Sequence, residues 1–308
     1  MTSPLASLLS AERKEKLKLL IRDGRIFWSK YKHNRTGIAG LGILVFFVSM
    51  AFLAPLIGQY DELYPPNSLE WARVNPTLSA PSADHLFGTD LYGRDIFTLT
   101  MYGARASLIV GLMASAISII LGTGVGVAAG YLGKSWDELL MRVTDFFLVI
   151  PWLPLMIVFA MLMGKSFTNV IIVIGITSWP WTARIVRSQV LSVKEKAFVV
   201  RARCIGAGSF TIVRKHIMPN VLPLVFASTI LLIANAIFSE SFLEFLGLGG
   251  DMISWGNMLE AAYDGHAFES YAWWWILPPG LFIIVLIMAF YLVGEATDEI
   301  LNPKLRRR

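Results

Sequence analysis

Between Val193 and Asn220 the chain reads V-K-E-K-A-F-V-V-R-A-R-C-I-G-A-G-S-F-T-I-V-R-K-H-I-M-P-N. It lies between two hydrophobic runs long enough to cross a bilayer and carries six Lys and Arg side chains, so it cannot itself sit in lipid. It belongs in water, and the spans must be counted on either side of it. Its internal order predicts helix, turn, helix. Lys194 to Arg203 has no breaker, and Gly206 and Gly208 then interrupt it, because glycine tolerates the positive φ that ends a helix. Ser209 is the expected N-cap of a second helix running to Met218, and Pro219 closes that helix or opens the next span. The product is a compact, basic, two-helix knob, and on composition alone a positively charged loop that only fixes topology is one reading of it.

The rest of the composition agrees with a membrane setting. Of 308 residues 55% are hydrophobic and 16% charged, the mean hydropathy is +0.59, and the apolar residues fall in long unbroken blocks. A polytopic, all-α membrane protein is expected. Cys204 is the only cysteine, which excludes an internal disulfide. His33, His85, His216 and His266 are scattered over different segments, so neither a metal centre nor a catalytic cluster is expected. The first apolar block begins after about 35 residues, unlike the short early core of a cleaved signal peptide, so the first span is expected to stay in the mature protein.

Six spans are read, at about 38–57, 107–132, 146–164, 166–183, 217–239 and 272–294. Before them, Ala11 to Arg35 mixes nine basic residues with Leu17, Ile21, Ile26, Phe27 and Trp28, the pattern of an amphipathic helix lying on anionic lipid. Residues 1–37 are therefore an N-terminal tail and interfacial helix, 38–298 the transmembrane domain, and 299–308 a basic tail. The outer loop 59–104 carries Pro65, Pro66, Pro76 and Pro81 and reads as extended. Gly122, Gly126 and Gly130 form a small-xxx-small ladder that lets helix backbones approach closely, which puts the second span at the centre of the bundle. Pro151 and Pro154 are expected to kink the third span. Trp179 and Trp181 beside Arg184 read as an interfacial end to the fourth. If the N-terminus is cytoplasmic, about 23 of the 27 Lys and Arg residues lie inside, leaving Arg73, Arg94, Arg105 and Lys165 outside. Both termini and the 193–218 segment are thus expected in the cytoplasm.

Asn34 to Gly37, Phe87 to Asp95, the set Gly206, His216 and Pro219, Phe245 to Gly249 and Ser254 to Leu259 resemble, in that order, the C-type membrane subunit of dipeptide and oligopeptide ABC importers. Gly206, His216 and Pro219 stand where that family's long cytoplasmic loop has its G and H-x-x-P; of the usual E-A-A only the second alanine survives, as Ala202, with Val200 and Arg201 in the first two places. Asn34-Arg35-Thr36-Gly37, the F-G-T-D-x-x-G-R-D run from Phe87 to Asp95, Phe245-Leu246-Gly247-Leu248-Gly249 and Ser254-Trp255-Gly256-Asn257-Met258-Leu259 supply the rest. The resemblance implies a type I importer permease fold, paired with a homologous B-type permease subunit, two ABC ATPase subunits and an extracytoplasmic solute-binding protein in the cell membrane. It implies that Lys196, Ala197, Val200, Arg201, Ala202, Arg203, Ile205, Gly206, His216 and Pro219 couple to the ATPase. Phe87, Gly88, Asp90, Gly93, Arg94 and Asp95 lie where a binding protein would dock, and local pairing of Asp90, Arg94 and Asp95 is an equal reading. Lipid is a further expected partner and nucleic acid is not.

Gly133-Lys134-Ser135 looks like the end of a phosphate loop, but Ala128 stands where the loop needs glycine and no strand precedes it. No ATPase site is expected in this chain, and ATP and Mg are expected on partner subunits. The rival class is an ion-coupled carrier, which keeps ionisable groups in mid-membrane. Glu240 and Glu244, one turn apart near the end of the fifth span, are its best candidates and possible pathway-lining groups. A membrane enzyme lacks any nucleophile-and-base pattern. Peptides are the expected cargo; oligosaccharides or nickel chelates are the alternatives within the same machinery.

Overall fold

Glycine spacing sets the tightest contact in the bundle. The computed structural model describes residues 22, 24–57, 76–250 and 252–301; residues 11–21 of the helix expected over 11–35, the prolines at 65 and 66 and the basic residues at 304–308 lie outside them. Within the described residues the helices are α1 (24–31), α2 (Arg35–Ile57), α3 (Ile96–Leu132), α4 (Lys134–Val149), α5 (Trp152–Met163), α6 (Phe167–Lys194), α7 (Ala197–Cys204), α8 (Ser209–Phe245), α9 (Trp255–Asp264) and α10 (Trp273–Leu301). A Cβ at Gly126 would stand 2.6 Å from the Ala183 carbonyl oxygen, and one at Gly130 would stand 2.8 Å from Val190 Cβ. Lipid tails are as apolar as leucine, so close backbone approach rather than water exclusion is what joins α3 to α6. The predicted ladder is the seam between them.

The same contacts fix direction. Gly122 faces Thr182, Gly126 faces Val186 and Gly130 faces Val190, so α3 and α6 run parallel. Lys194 Nζ donates to the Gly130 carbonyl at 2.9 Å, which levels their C-terminal ends. The chain between those two parallel helices must return across the same thickness. α4 and α5 together make that return, and they count as one broken crossing. Ser107 against Glu240 with Gly111 against Ile237, and Gly37 against Ala296 with Gly40 against Leu292, show α3–α8 and α2–α10 packed antiparallel. Among the described residues six crossings result, with Arg35, the 195–208 segment and Leu301 on one side and Phe167 and Phe245 on the other.

The boundaries differ from expectation for physical reasons. The third span is not one kinked helix over 146–164 but two helices bent by 92°. Ile150 is extended (φ −74°, ψ 129°), as a residue before proline prefers, and Pro151 serves as the N-cap of α5. The fourth span does not stop at Ala183. Its helix continues to Lys194, because a charge ends contact with lipid without ending helical hydrogen bonding. Trp179 is buried against Phe147, ring centroids 5.6 Å apart, instead of anchoring an interface, while Trp181 is exposed. The second span begins at Ile96, where Asp95 caps it by accepting from Thr98 N at 2.8 Å, so the outer loop ends there and not at 104. The sixth runs to Leu301.

At the far side from the knob, Phe47, Trp255, Trp275 and Leu286 pack into one apolar core. Trp255 satisfies its buried indole by donating from Nε1 to the Thr100 carbonyl at 2.8 Å. At the near side Asn34 joins the chain's two ends: it accepts from Gly37 N at 2.9 Å and donates to Glu299 Oε2 at 2.9 Å.

Candidate functional site

The water-bound segment is built as a wedge with a fixed base and a free tip. α7 covers Ala197–Cys204, three residues later than expected at its start, because α6 runs to Lys194 and Lys196 then takes extended angles as N-cap (φ −69°, ψ 142°). Val199 and Ala202 point inward and join Val186, Val190 and Val193 of α6 with Ile212, Ile217 and Val221 of α8 in one buried cluster. Of the expected coupling residues, Ala202 is thus part of the base. His216 is half-buried, its ring 6.1 Å from Phe198, and its carbonyl accepts from Asn220 Nδ2 at 2.7 Å. Lys196, Ala197, Val200, Arg201, Arg203, Ile205, Gly206 and Pro219 are exposed.

Gly206 takes φ +82°, and the Ala207 amide reaches back to the Ala202 carbonyl at 3.0 Å, which closes α7 and reverses the chain. Gly208 differs: at φ −65° it is the N-cap of the next helix, and Ser209, expected in that role, is already inside it. That helix does not end at Met218. It passes through a π-helical turn, Val213–Ile217, straight into the span to Phe245. The turn leaves Ile205 85% exposed and Phe210 76% exposed, two large apolar side chains at the tip amid Arg201 and Arg203. Phe210 was not singled out by sequence; the available signal is an aromatic side chain between Ser209 and Thr211 in a segment that belongs in water.

The segment from Phe87 to Asp95 at the opposite end is folded on itself. Asp90 is fully buried and accepts from Tyr92 N, Arg94 N and Arg94 Nε at 2.8, 2.8 and 2.6 Å. Asp95 both caps α3 and faces His85 Nδ1 at 3.1 Å. Phe87 packs edge-on to Phe97 at 5.2 Å, and Gly88 and Gly93 take the positive φ (+74° and +73°) that the turns need. The local pairing of Asp90 with Arg94 is therefore realised. Leu86, Leu91 and Tyr92 carry the exposed surface here, and sequence reasoning missed them.

Glu240 and Glu244 are both buried inside the chain itself, 0% and 1% exposed, and so do not line an open wall of it. Glu240 Oε2 accepts from Ser107 Oγ at 3.0 Å and Ser241 Oγ at 3.1 Å, and Glu244 Oε2 accepts from Ser254 Oγ at 2.9 Å. Among the described residues their Oε1 atoms have no hydrogen-bond partner. Ser254 also caps α9 in a reciprocal pair with Asn257, both bonds 3.1 Å. Gly256 lies against Ser241 and Glu244, where a Cβ would come within 2.6 Å of Glu244 Cβ, so the glycines of 247–256 let the loop close over this carboxylate. Outside the spans, burial and then the neighbouring Asp264 push the Glu260 carboxyl up, while Lys165 acts the other way. An unpaired buried carboxylate is costly. Glu240→Gln, which keeps an acceptor for both serines, is expected to leave the detergent-solubilised melting temperature unchanged or higher. Glu240→Leu strands both hydroxyls and is expected to lower stability by about 1–3 kcal/mol.

Residues 122–307 match the family described as the binding-protein-dependent transport system inner membrane component, and residues 24–75 match the N-terminal transmembrane domain of oligopeptide transport permease C. The chain belongs to this permease family. It is 38% identical over 286 residues to the dipeptide transport system permease protein DppC of Bacillus subtilis, covering 91% of this chain and 85% of that one. It is 36% identical over 280 residues to the oligopeptide transport system permease protein OppC of the same organism, covering 90% and 88%, and 36% identical over 304 residues to OppC of Haemophilus influenzae, covering 96% and 94%. The fold is similar to that of a chain in a structure of the MetNI methionine ABC transporter in inward-facing conformations, matched with a TM-score of 0.54 at 18% identity over 67% of this chain and 95% of that one.

The family is that of ABC importer permeases, which sets the chain apart from the ion-coupled carriers and locates it in the inner membrane. Further ion pairs steady its knob-bearing end. Arg187 Nη2 donates to Asp137 Oδ2 at 2.7 Å and Arg184 Nη2 to Asp145 Oδ1 at 2.6 Å, tying the polar side of α4 to the extended part of α6. Arg187 forks onto both oxygens of Asp137, a geometry lysine could not reproduce.

Proposed function

We propose that the permease forms half of the translocation pathway of an ABC importer for peptides and receives ATP-driven motion through residues 193–218. The observation that carries this reading is the wedge itself. Val199 and Ala202 anchor its base to two spans while Ile205 and Phe210 stand free at its tip. Large apolar side chains held out in water on a rigid support mark a protein interface. Lys196, Ala197, Val200, Arg201, Arg203 and Ile205 would seat in a groove of the ATPase, with Gly206 setting the angle of entry and Ala202, His216 and Pro219 holding the wedge to the spans. The basic surplus on the knob-bearing side supports a cytoplasmic position for that side and for both termini.

The partners in this reading are two ATPase subunits, a B-type permease and a solute-binding protein that meets the opposite face near Leu86, Leu91 and Tyr92. ATP and Mg bind the ATPase subunits, and this chain contributes no nucleotide site. Peptide cargo is supported by the dipeptide and oligopeptide relatives at 36–38% identity. Co-expression of the chain with the permease, ATPase and binding-protein genes of its own operon, in cells deficient in peptide uptake, tests it. Restored growth on a dipeptide, lost when the ATPase cannot hydrolyse ATP, is the expected result. Uptake that follows an ion gradient without the ATPase would contradict it.

A further inference from the structure

The root of α8 is packed on one flank and empty on the other. Ile212, Ile217 and Val221 pack against the tail of α6 and against α7. On the other flank, Val213, Met218 and Leu222 face Ile120, Gly124 and Ala128 of α3 across an open apolar groove of about 680 Å³. A Cβ at Gly124 would meet nothing within 4 Å, so the two helices stand apart there, while two residues on, at Gly126, α3 is in hard contact with α6.

The backbone between the wedge and the span is weakened where this groove lies. At Val213–Ile217 the helix widens to a π turn, with Met218 N bonded to the Val213 carbonyl. Pro219 and Pro223 then remove two amide donors one turn apart, and the Asn220 side chain occupies the His216 carbonyl. A helix with missing ladder bonds bends at lower cost than an intact one. Bending toward α6 is blocked by packed side chains, whereas bending toward α3 meets an open groove in which the two helices gain packing contacts.

We propose that the π turn Val213–Ile217 is a hinge through which the wedge swings the root of α8 against α3, closing the apolar groove between them. This rests on the reading that an ATPase moves the wedge. The hinge converts that motion into a change of spacing between two spans, leaving the outer part of α8, held by the Ser107–Glu240 bond, in place.

The test uses the assembled importer with its ATPase, permease partner and binding protein. Spin labels at Ala128→Cys and Leu222→Cys on a Cys204→Ser background report the width of the groove. A distance several ångströms shorter in the ATP-trapped complex than in the nucleotide-free one is expected. Gly124→Leu, which fills the groove without touching α6, should leave assembly and ATP binding intact and reduce binding-protein-stimulated hydrolysis by about tenfold. An unchanged label distance in a complex that remains assembled and still takes up peptide overturns the hinge and leaves the docking reading standing. If the ATPase fails to co-purify with the labelled permease and with the wild-type chain alike, docking falls, and the hinge falls with it.

Discussion

Gly206→Val is expected to give a permease that inserts at the wild-type level but neither retains the ATPase through purification nor supports peptide uptake. The cause is conformational and not steric, since a Cβ at Gly206 meets nothing within 4 Å while the backbone sits at φ +82°. A β-branched residue there costs on the order of 1–3 kcal/mol, which the chain relieves by leaving the turn. Leaving it breaks the Ala207 to Ala202 bond and frees the tip to point elsewhere. Roughly a tenfold or larger loss of correctly angled wedge follows from that strain. Two controls separate strain from mere substitution. Gly206→Asn, which tolerates the left-handed region, should retain part of the activity. Gly208→Ser should be neutral or mildly stabilising, because position 208 has φ −65° and caps a helix, a place serine suits. Equal damage from all three would show that the turn at 206 is not what orients the tip.

Gly126→Leu is expected to abolish the folded bundle. The new Cβ would stand 2.6 Å from the Ala183 carbonyl oxygen and 2.7 Å from Val186 Cβ, and neither backbone oxygen nor β-branched side chain can swing aside. The α3–α6 seam must then open along its length, which costs more than the usual 1–3 kcal/mol of about one overpacked site, because Gly122 and Gly130 share the same two helices. Loss of the monodisperse species after detergent extraction is the expected outcome. Gly124→Ala, two residues away and facing the groove, should be tolerated or raise the melting temperature slightly, since alanine favours the helix by about 1 kcal/mol. The contrast between neighbouring glycines depends on which face of α3 each occupies.

Much of this architecture is legible in the residues. The hydrophobic blocks locate six crossings, because only a helix can satisfy its own backbone in lipid. The glycine ladder names the central helix and its contact face. What hydropathy cannot supply is where a helix ends once it leaves lipid. α3 starts at Ile96 and α6 continues to Lys194, because their outer turns find partners in Asp95 on one side and in Asp137, Asp145 and Gly130 on the other. Asp95 is the neighbour of the helix it caps, but Asp137, Asp145 and Gly130 come from distant stretches of sequence. The break at Ile150 is different: the proline signal is local and is read as a kink, but the two halves diverge by 92°, a size set by where α5 finds its contacts with Val110, Val170 and Leu243.

The candidate surfaces divide in the same way. Gly206 is legible because positive φ demands glycine, whereas Gly208 beside it looks identical in sequence and plays another part. The Phe87–Asp95 motif suggests an outward docking face, yet its acidic residues are used internally, and only burial shows that Leu86, Leu91 and Tyr92 hold the outer surface. Glu240 and Glu244 stand out in an apolar span; that they are enclosed by Ser107, Ser241 and Ser254 follows from α3 and α9 meeting α8, which no local pattern encodes.

The wedge being gripped by a separate ATPase is most directly tested by a density map of the purified, nucleotide-free importer. Ile205 and Phe210 should lie in a groove of the ATPase subunit with side-chain atoms within about 4.5 Å of it. A map in which residues 193–220 face the side away from the ATPase, or in which the ATPase meets the permease only elsewhere, would contradict the account.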